Sequence, residues 1–366
     1  MSDFKVEVIE VTNVQVHPNA DKLELGFYQA WQCCVQKSRF KSGDKAVYIP
    51  IDSVLPEKIE SMIFGEDAKV KLHNHRVRSI KLRGALSQGM IVKLNDIGLS
   101  EDYHVGKDLT KILGIKKYET PTKNMSNKMN VKKASRYKNP WFKKYTNINN
   151  LKYYPHAFDC KEVYISEKVH GTNARFSKVK YNPYNFWKKI LQIFKLNPLN
   201  EYCFGSHNVD LTIREKKSNF YYKKNVYAEI SDKYNFKNIL KDGEGIYGEI
   251  YGPSIQKGYH YGLKNEEVDL VVFDVMKDGK YLNTENAIKF CIEKGLTFVP
   301  ILYKGKYDYE IVKNLAIGAS LLCPEQKVIE GVVVKTVEES VGYYGRSIFK
   351  YLNDEYLLKK GNTDFH

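Results

Sequence analysis

The first third of the chain is patterned as short extended segments with turn residues between them. Apolar positions alternate with polar ones over residues 5–16, and further extended runs follow at 23–35, 45–50, 76–82 and 89–94. Alternation with a period of two is typical of strands that bury one face. Short strands packed this densely along the sequence predict a small β-barrel or sandwich.

From residue 154 onward the pattern mixes strands with helices. Apolar runs predict strands at 162–169, 172–178, 245–251, 268–276, 328–335 and 347–352. Residues 285–294 predict a helix with Thr284 as its N-cap and Gly295 just beyond its end, and 309–317 predict another. The amphipathic stretch 185–195 predicts a helix inserted between two strands. This part of the chain is therefore expected to fold as an α+β domain.

Residues 116–144 differ in composition from both flanking regions. The window holds ten Lys and Arg residues and one acid, Glu119, and it is poor in aliphatic residues. Such a segment is typical of a solvated linker, and equally of an electrostatic arm that lies along a phosphate backbone. The predicted organisation is a β-barrel domain at 1–115, a basic linker at 116–153 and a second domain at 154–366.

Composition adds a statement about partners. The 366 residues suit two domains, and 58 Lys and Arg against 43 Asp and Glu give a net charge of +15. This balance favours a polyanionic partner, either nucleic acid or an anionic membrane surface. The alternative explanation is an AT-rich coding sequence, which increases the share of Lys, because only eight of those cations are Arg.

The sequence also predicts the compartment. No run of eighteen apolar residues is present, so no transmembrane helix or membrane partner is expected. The first residues lack the pattern of a secretory signal, and the six cysteines show no CxxC spacing. The expectation is a monomer with free thiols in a reducing compartment, cytoplasmic or nucleoplasmic and not secreted.

The segment Glu167-Lys-Val-His-Gly-Thr-Asn173 is the first candidate for chemistry. It places Lys168 on a predicted strand and Gly171 three residues later. Glycine lets the backbone approach a bulky ligand closely, and a lysine amine becomes a nucleophile once it loses its proton. Taken alone the pattern is weak, because a lysine at a strand end is most often simply solvated.

Other chemistry-bearing residues follow in a regular order. Charged or aromatic side chains recur on short apolar strands at Glu249, Phe273, Asp274, Glu330, Lys335 and Lys350. Buried strands rarely hold charges without a partner. The two glutamates and three lysines, Lys168 included, would together suit a metal-bound ligand that carries phosphates. Asp274 is interpreted as a hydrogen-bonding acid at a strand end.

This ordered series resembles the covalent nucleotidyltransferase superfamily of polynucleotide ligases and mRNA capping enzymes. More narrowly, residues 167–173 are similar to the RNA ligase 2 branch of ATP-dependent RNA ligases. Residues 17–24, 43–50 and 76–90 are similar to the N-terminal OB domain of Deinococcus-type RNA ligases. The resemblance covers nearly the whole chain, and it implies an α+β protein with an OB-fold β-barrel followed by a mixed antiparallel-sheet and helix adenylyltransferase domain.

The resemblance implies a covalent mechanism with ATP as the cofactor. Lys168 would attack the α-phosphate and become a lysyl-AMP, and the AMP would then pass to a 5′-phosphate of RNA. A 3′-OH would displace AMP and seal the strand. Lys335 and Lys350 would contact the α-phosphate and assist catalysis.

The remaining roles of the nucleotide site come from the same resemblance. Glu167 would lie near the adenine, Asn173 near the ribose, and Phe273 would stack on the purine. Glu249 and Glu330 would hold Mg²⁺ or Mn²⁺, which neutralises charge on the transferring phosphate.

Contacts with the nucleic acid are expected at five basic residues, which are Arg76, Arg78, Lys81, Arg83 and His207. Arg76, Arg78 and Lys81 lie on the predicted strand 76–82 of the OB barrel and Arg83 directly follows it, and such folds use this kind of face for binding. His207 lies where this branch usually carries Arg or Lys. A second departure is Leu352, which replaces a lysine found in many relatives.

Three functions compete at this point. The leading one is an ATP-dependent RNA ligase that seals 3′-OH and 5′-phosphate ends, at nicks in RNA or RNA-containing duplexes. A capping guanylyltransferase would use GTP and usually carries its OB domain after the catalytic domain, so the domain order argues against it. A nucleic-acid-binding protein with a dead ligase fold would have no reason to keep five buried charges.

Overall fold

The structure is a computed structural model that describes residues 4–65, 71–118, 139–182, 190–191, 193–194, 198–212 and 224–359. Most of the basic window 116–144 and of the predicted helix 185–195 lies outside these ranges. Contacts divide the chain into two compact units, the first with residues 1–122, 147–159 and 349–366, the second with 123–146 and 160–348. The domain boundaries at 115 and 154 stay a prediction. The two units differ from the predicted domains because residues 349–366 belong to the first unit.

The first unit is built from short strands. They are β1 (Glu7–Glu10), β2 (Asn13–Val16), β3 (Leu23–Tyr28), β4 (Trp31–Gln36), β5 (Lys45–Ile49), β6 (Ser53–Val54), β7 (Ser79–Leu82), β8 (Ala85–Gln88), β9 (Met90–Val92), β10 (Lys116–Lys117) and β11 (Asn149–Asn150). Strands β1, β5 and β9 form one sheet, and β2, β3 and β4 form another. Aliphatic side chains such as Val8, Val47 and Leu109 fill the core, each fully buried.

Two extended runs of this unit each divide into two strands. Residues 23–35 form the hairpin of β3 and β4, with Tyr28 opposite Trp31. The turn between them contains Gln29 in the left-handed conformation, at φ +52°. Glycine is the usual residue for this conformation, so a glutamine here gives no sign of a turn in the sequence. The prediction of one continuous strand was therefore wrong here, as it was for residues 5–16.

The second unit holds two antiparallel sheets. Its strands are β12 (Glu162–Lys168), β13 (Thr172–Lys180), β14 (Asn200–Ser206), β15 (Glu244–Tyr251), β16 (Asp269–Lys277), β17 (Lys280–Tyr281), β18 (Ile301–Lys306), β19 (Gly331–Thr336), β20 (Val341–Gly342) and β21 (Gly345–Arg346), and β22 (Ile348–Leu352) begins at its end. One sheet has the order β14-β13-β15-β16-β17. In the other, β12 lies between β18 and β19. All six predicted strands are present, and their ends differ from the predicted ones by at most three residues.

Six helices complete the described fold. They are α1 (Glu57–Phe64), α2 (Val226–Lys233), α3 (Phe236–Ile239), α4 (Thr284–Lys294), α5 (Tyr309–Leu315) and α6 (Asp354–Leu358). Helix α4 begins one residue earlier than predicted, because Asn283 and not Thr284 is its N-cap and accepts a hydrogen bond from the Asn286 N–H. Gly295 ends it in the left-handed conformation, as predicted, at φ +67°.

The core of the second unit lies against the β13–β15–β16 sheet and depends on aromatic packing. The rings of Phe176 on β13 and Phe236 on α3 lie 4.6 Å apart, and both side chains are fully buried. We expect Phe176→Ala to lower the free energy of unfolding by about 3–5 kcal/mol, because it removes buried apolar surface and leaves a cavity. Denaturant unfolding followed by circular dichroism measures this change.

The matched control for Phe176 is Phe194, which is 69% exposed. Phe194→Ala is expected to change the free energy of unfolding by less than about 0.5 kcal/mol. Equal effects of the two substitutions would contradict the assignment of this core.

Two sequence expectations concern the chain as a whole. Among the described residues, no helix is both long and apolar enough to cross a membrane. All six cysteines are free in the structure.

Candidate active site

The lysine of the 167–173 motif ends strand β12. Lys168 lies opposite Gly331, the first residue of β19, so the preceding residue Glu330 reaches the same end of the sheet. The Lys168 ammonium donates a hydrogen bond to Glu330 Oε1 at 2.8 Å. The lysine side chain is 22% exposed and the glutamate side chain 1% exposed. A buried carboxylate thus holds an amine that remains open to a ligand.

A histidine holds the other oxygen of this carboxylate. His170 Nδ1 lies 3.2 Å from Glu330 Oε2. The backbone N–H of His170 donates to the Tyr261 hydroxyl at 2.8 Å, and its ring packs edge-on against Tyr259 with centroids 4.7 Å apart. Both oxygens of Glu330 are therefore oriented by side chains of the Lys168 segment, which fixes the geometry of the site.

The second glutamate of the predicted metal pair lies on the neighbouring sheet. Glu249 on β15 pairs directly with Asn173 on β13, so the two side chains share one face. Burial raises the pKa of Glu249 to about 8, while Lys168 lowers it and Glu330 raises it further. Two carboxylates that repel each other in this way favour a bound cation.

The glycine of the motif is required by close packing. A Cβ placed on Gly171 would lie 2.2 Å from the carbonyl oxygen of Ile250. No side chain fits there, so the chain can cross from β12 to β13 beside β15 only with glycine. Because of this crossing, Lys168 and Asn173 both lie near Glu249.

Two buried side-chain oxygens at the site have no hydrogen-bond partner. They are Glu167 Oε1 and Asn173 Oδ1. The other oxygen of Glu167 accepts from the backbone N–H groups of Leu321, at 2.9 Å, and Leu322. Burial raises the pKa of Glu167, although these hydrogen bonds and one from Ser320 oppose the shift. Orphaned buried acceptors are costly, and a bound polar ligand is one explanation for them.

The predicted stacking residue lies at an irregularity in strand β16. The β15–β16 register shifts between Tyr247 and Gly248, which pair with Asp274 and Val272, so Phe273 is the extra residue of a β-bulge. Bulges redirect a side chain and are frequent beside active sites. The half-buried ring of Phe273 packs against Tyr145 with centroids 4.8 Å apart.

Lys335 is held in a buried ion-pair network. Its ammonium lies 3.3 Å from Asp274 Oδ1 and also pairs with Glu339. Arg346 joins both acids, and Asp274 is completely buried. Burial works against ionisation of Glu339, but the hydrogen bond from Arg346 and the charges of Lys335 and Arg346 lower its pKa. Sequence reasoning missed Glu339 and Arg346, because nothing in their spacing signals a pair across a hairpin.

Lys350 belongs to the first unit. It is buried on β22 and pairs with Asn150 of the parallel strand β11. Its predicted contact with the α-phosphate stays a prediction.

The predicted nucleic-acid contacts of the barrel differ in exposure. The guanidinium of Arg76 is buried, bound to Asp52 through Nε at 3.1 Å, and stacked 3.7 Å from the ring centroid of Tyr118. Lys81 and Arg83 are exposed on the β7–β8 hairpin. Arg78 is half-buried and donates to the Lys359 carbonyl at 3.2 Å. Their roles in RNA binding stay predictions, and of these four cations Lys81 and Arg83 are the exposed ones.

A metal at Glu249 and Glu330 fits the donor chemistry. Carboxylate oxygens suit Mg²⁺, which usually takes one or two protein carboxylates and completes its shell with water and substrate phosphates. Within the described ranges, no cluster of three or more His, Cys, Asp or Glu residues could hold a metal ion. A two-carboxylate site of this kind therefore requires the ligand to supply further oxygens.

Comparison with known proteins identifies the family. The model of the RNA ligase family matches residues 161–352, which is slightly more than half of the chain. The chain belongs to the RNA ligase family. A model of an OB-fold domain matches residues 5–94, so the predicted OB-fold barrel followed by a ligase domain is confirmed. No curated protein sequence matches significantly.

Solved structures of a Naegleria gruberi RNA ligase share the fold of this RNA ligase family member. The structure with pyrophosphate has a TM-score of 0.71 at 21% identity and covers 97% of this chain and 98% of that chain. A variant with ATP and Mn gives 0.71 at 22% identity, over 97% and 98%. A variant with AMP and Mn gives 0.71 at 20%, again over 97% and 98%. The α+β class predicted from the sequence is thereby confirmed.

Proposed function

We propose that this member of the RNA ligase family is an ATP-dependent ligase that seals 3′-OH and 5′-phosphate ends of RNA through lysyl-AMP and adenylylated-RNA intermediates. The observation that carries the proposal is the Lys168 amine, partly open to solvent and held 2.8 Å from the buried carboxylate of Glu330. Such an amine beside a phosphate-binding site is the nucleophile that covalent nucleotidyl transfer needs.

The unsatisfied acceptors beside Lys168 support a nucleotide in this place. Glu167 Oε1 and Asn173 Oδ1 would accept hydrogen bonds from the adenine amine and a ribose hydroxyl, and Phe273 would stack on the purine. The Naegleria ligase of the same fold has been solved with ATP and Mn, with AMP and Mn and with pyrophosphate. ATP is the nucleotide we propose for this chain.

The reaction proceeds in two transfers of the adenylyl group and a final step that joins the RNA ends. The deprotonated Lys168 Nζ attacks the α-phosphorus, an N–P bond forms, and the bond to the β-phosphate oxygen breaks with loss of pyrophosphate. An oxygen of the RNA 5′-phosphate then attacks the same phosphorus and restores the amine. Finally the 3′-OH attacks the 5′-phosphorus, loses its proton and expels AMP. Each step forms and breaks one bond to phosphorus, so catalysis rests on positioning and charge.

The cations and carboxylates have separate roles in this scheme. Glu249 and Glu330 would hold Mg²⁺ or Mn²⁺, which when bound neutralises negative charge on the phosphates. Lys335 would contact the α-phosphate after exchanging its 3.3 Å contact with Asp274 for a phosphate oxygen. His170 keeps Glu330 oriented throughout. Lys350 is proposed for the α-phosphate as well, on the resemblance alone.

We propose a nick in an RNA or RNA-containing duplex as the substrate and a cytoplasmic or nucleoplasmic monomer as the working form. A labelled nicked RNA duplex with a 5′-phosphate tests the first point, beside a single strand of the same sequence. We expect sealing that requires ATP, the 5′-phosphate and a divalent metal, and that is faster on the nick. Sealing of the single strand but not of the nicked duplex would contradict the nick as the substrate. Failure to seal either substrate would contradict the ligase function.

The proposed adenine contact yields a matched pair of substitutions on one strand. Glu167→Gln presents an amide to the adenine amine in place of a carboxylate and weakens two backbone hydrogen bonds, so we expect ATP-dependent labelling to need about 10-fold more ATP. Glu162→Gln changes an exposed acid of the same strand and is expected to have no effect. The measurement is the ATP concentration that gives half-maximal adenylylation. An unchanged value for Glu167→Gln would remove Glu167 from the nucleotide site.

A further inference from the structure

Residues 139–146, here called the strap, lie on the second unit outside its helices and strands and have two different faces. Buried side chains recur at every third position, at Asn139, Phe142 and Tyr145. Trp141, Lys143 and Lys144 are exposed between them. The segment begins with a turn, in which the Phe142 N–H donates a hydrogen bond to the Asn139 carbonyl at 3.1 Å. The strap therefore turns one aromatic and two cationic residues to solvent.

The strap is fastened to the unit by a buried arginine. Arg175 Nη1 donates to the Phe142 carbonyl at 2.6 Å, and its Nε donates to the Ser206 carbonyl at 2.9 Å. The guanidinium also stacks 3.9 Å from the centroid of the Phe142 ring. Arg175 is almost fully buried, so this clamp fixes the strap against the end of β14.

Trp141 is held in place and yet exposed. The buried Asn139 accepts a hydrogen bond from the Trp141 N–H at 2.8 Å and donates to the Lys180 carbonyl at 2.8 Å. The Lys180 ammonium lies 5.2 Å from the centroid of the indole, while Trp141 remains 52% exposed. A large indole kept in a defined position in water is a platform on which a base could stack.

Lys144 brings a cation to a place where the sequence lacks one. Its ammonium lies 2.8 Å from Asn208 Oδ1, beside His207. Burial together with the charges of Lys144 and Arg175 lowers the pKa of His207. The 206–208 segment itself carries no Arg or Lys. The strap supplies that charge from a different part of the chain.

The other end of the strap reaches the candidate nucleotide site. The Tyr145 hydroxyl donates to Asp274 Oδ2 at 2.9 Å, and its ring packs 4.8 Å from Phe273. A ligand that lies along the strap would thus extend toward the bulge of β16.

We propose that the exposed face of the strap binds the RNA substrate strand, with its phosphates on Lys143 and Lys144 and one base stacked on Trp141. RNA as the occupant rests on the proposed function, and the basic and aromatic chemistry is that of single-strand grooves.

Equilibrium binding of a labelled 5′-phosphorylated RNA oligonucleotide tests this surface, measured by anisotropy between about 50 and 200 mM salt. Trp141→Ala is expected to weaken binding about 10-fold with little change in salt dependence, and Trp141→Phe to retain most of the affinity. The double variant Lys143→Ala/Lys144→Ala is expected to lower the slope of log K against log salt by about 2. Lys237→Ala, an exposed cation of α3, serves as the control.

The outcomes separate this inference from the proposed function. RNA binding by the strap would be contradicted if the Trp141→Ala variant and the double-lysine variant both bound RNA with the wild-type affinity and salt slope. Their unfolding midpoints must be unchanged for this comparison. If Trp141→Ala fails to fold, the exposed lysine pair decides alone. Failure of the wild-type protein to accept label from ATP would overturn the ligase function, whereas loss of RNA binding in the variants would still support the strap.

Discussion

RNA sealing by the Lys168→Ala variant is expected to fall by at least about 10³-fold when ATP is the source of AMP. Alanine removes the amine that forms the bond to the α-phosphorus, and the Glu167–Asn173 segment contains no other lysine. When the RNA already carries AMP on its 5′-phosphate, this bond is not needed. The same variant is therefore expected to retain measurable sealing of pre-adenylylated RNA.

Lys161→Ala is the matched control, because Lys161 is an exposed lysine just before the same strand. It is expected to seal both substrates like the wild type. Sealing is followed on denaturing gels with end-labelled RNA. Undiminished ATP-dependent sealing by Lys168→Ala would show that another residue carries AMP.

Substitution of Glu330 is expected to have the second-largest effect. Glu330→Gln keeps the size of the side chain but removes a charge that pairs with Lys168 and His170 and that would contribute to holding the metal. Removing one partner of a buried ion pair leaves the other charge without compensation. We expect covalent labelling from ATP to slow by at least about 100-fold, measured as the initial rate at saturating metal.

The control for Glu330 is Glu338→Gln, since Glu338 is an exposed acid at the end of the neighbouring segment. It is expected to label at the wild-type rate. A Glu330→Gln rate within about threefold of the wild type would exclude Glu330 from the active site.

The strand pattern of the second unit was predictable from the sequence because apolar runs in a buried sheet are continuous. The strands that carry Lys168, Glu249 and Lys335 all lie within one to three residues of their predicted ends. The hairpin turn at Gln29 and the N-cap at Asn283 were missed, since each depends on a local conformation or hydrogen bond that neighbouring residue types could equally have provided.

Partners across the fold were less predictable than the residues themselves. The sequence placed Lys335 at the phosphate, whereas the described site holds it on Asp274 and Glu339. Arg76 was expected on the barrel surface, but a buried pair with Asp52 takes its guanidinium inside. Charge and spacing identify ionisable residues on strands, but burial and pairing are set by tertiary packing.

The basic window 116–144 is a second case in which sequence composition did not reveal tertiary packing. Its composition as a whole indicates a solvated linker, and an average over 116–144 conceals a different pattern at its end. There Asn139 and Phe142 are buried, as is Tyr145 just beyond the window, so the last residues of the window pack against the second unit. A period of three over so few residues is too short to be recognised against a lysine-rich background.

The most direct test of the central claim is transfer of label from ATP labelled in the α-phosphate to the protein, in Mg²⁺ or Mn²⁺, beside a GTP control. We expect covalent label on the 42.5 kDa chain from ATP alone, released by added pyrophosphate and absent in Lys168→Ala. Label from GTP alone would move the protein to the capping class. No label with either nucleotide, from protein shown by mass spectrometry to carry no AMP already, would contradict the account.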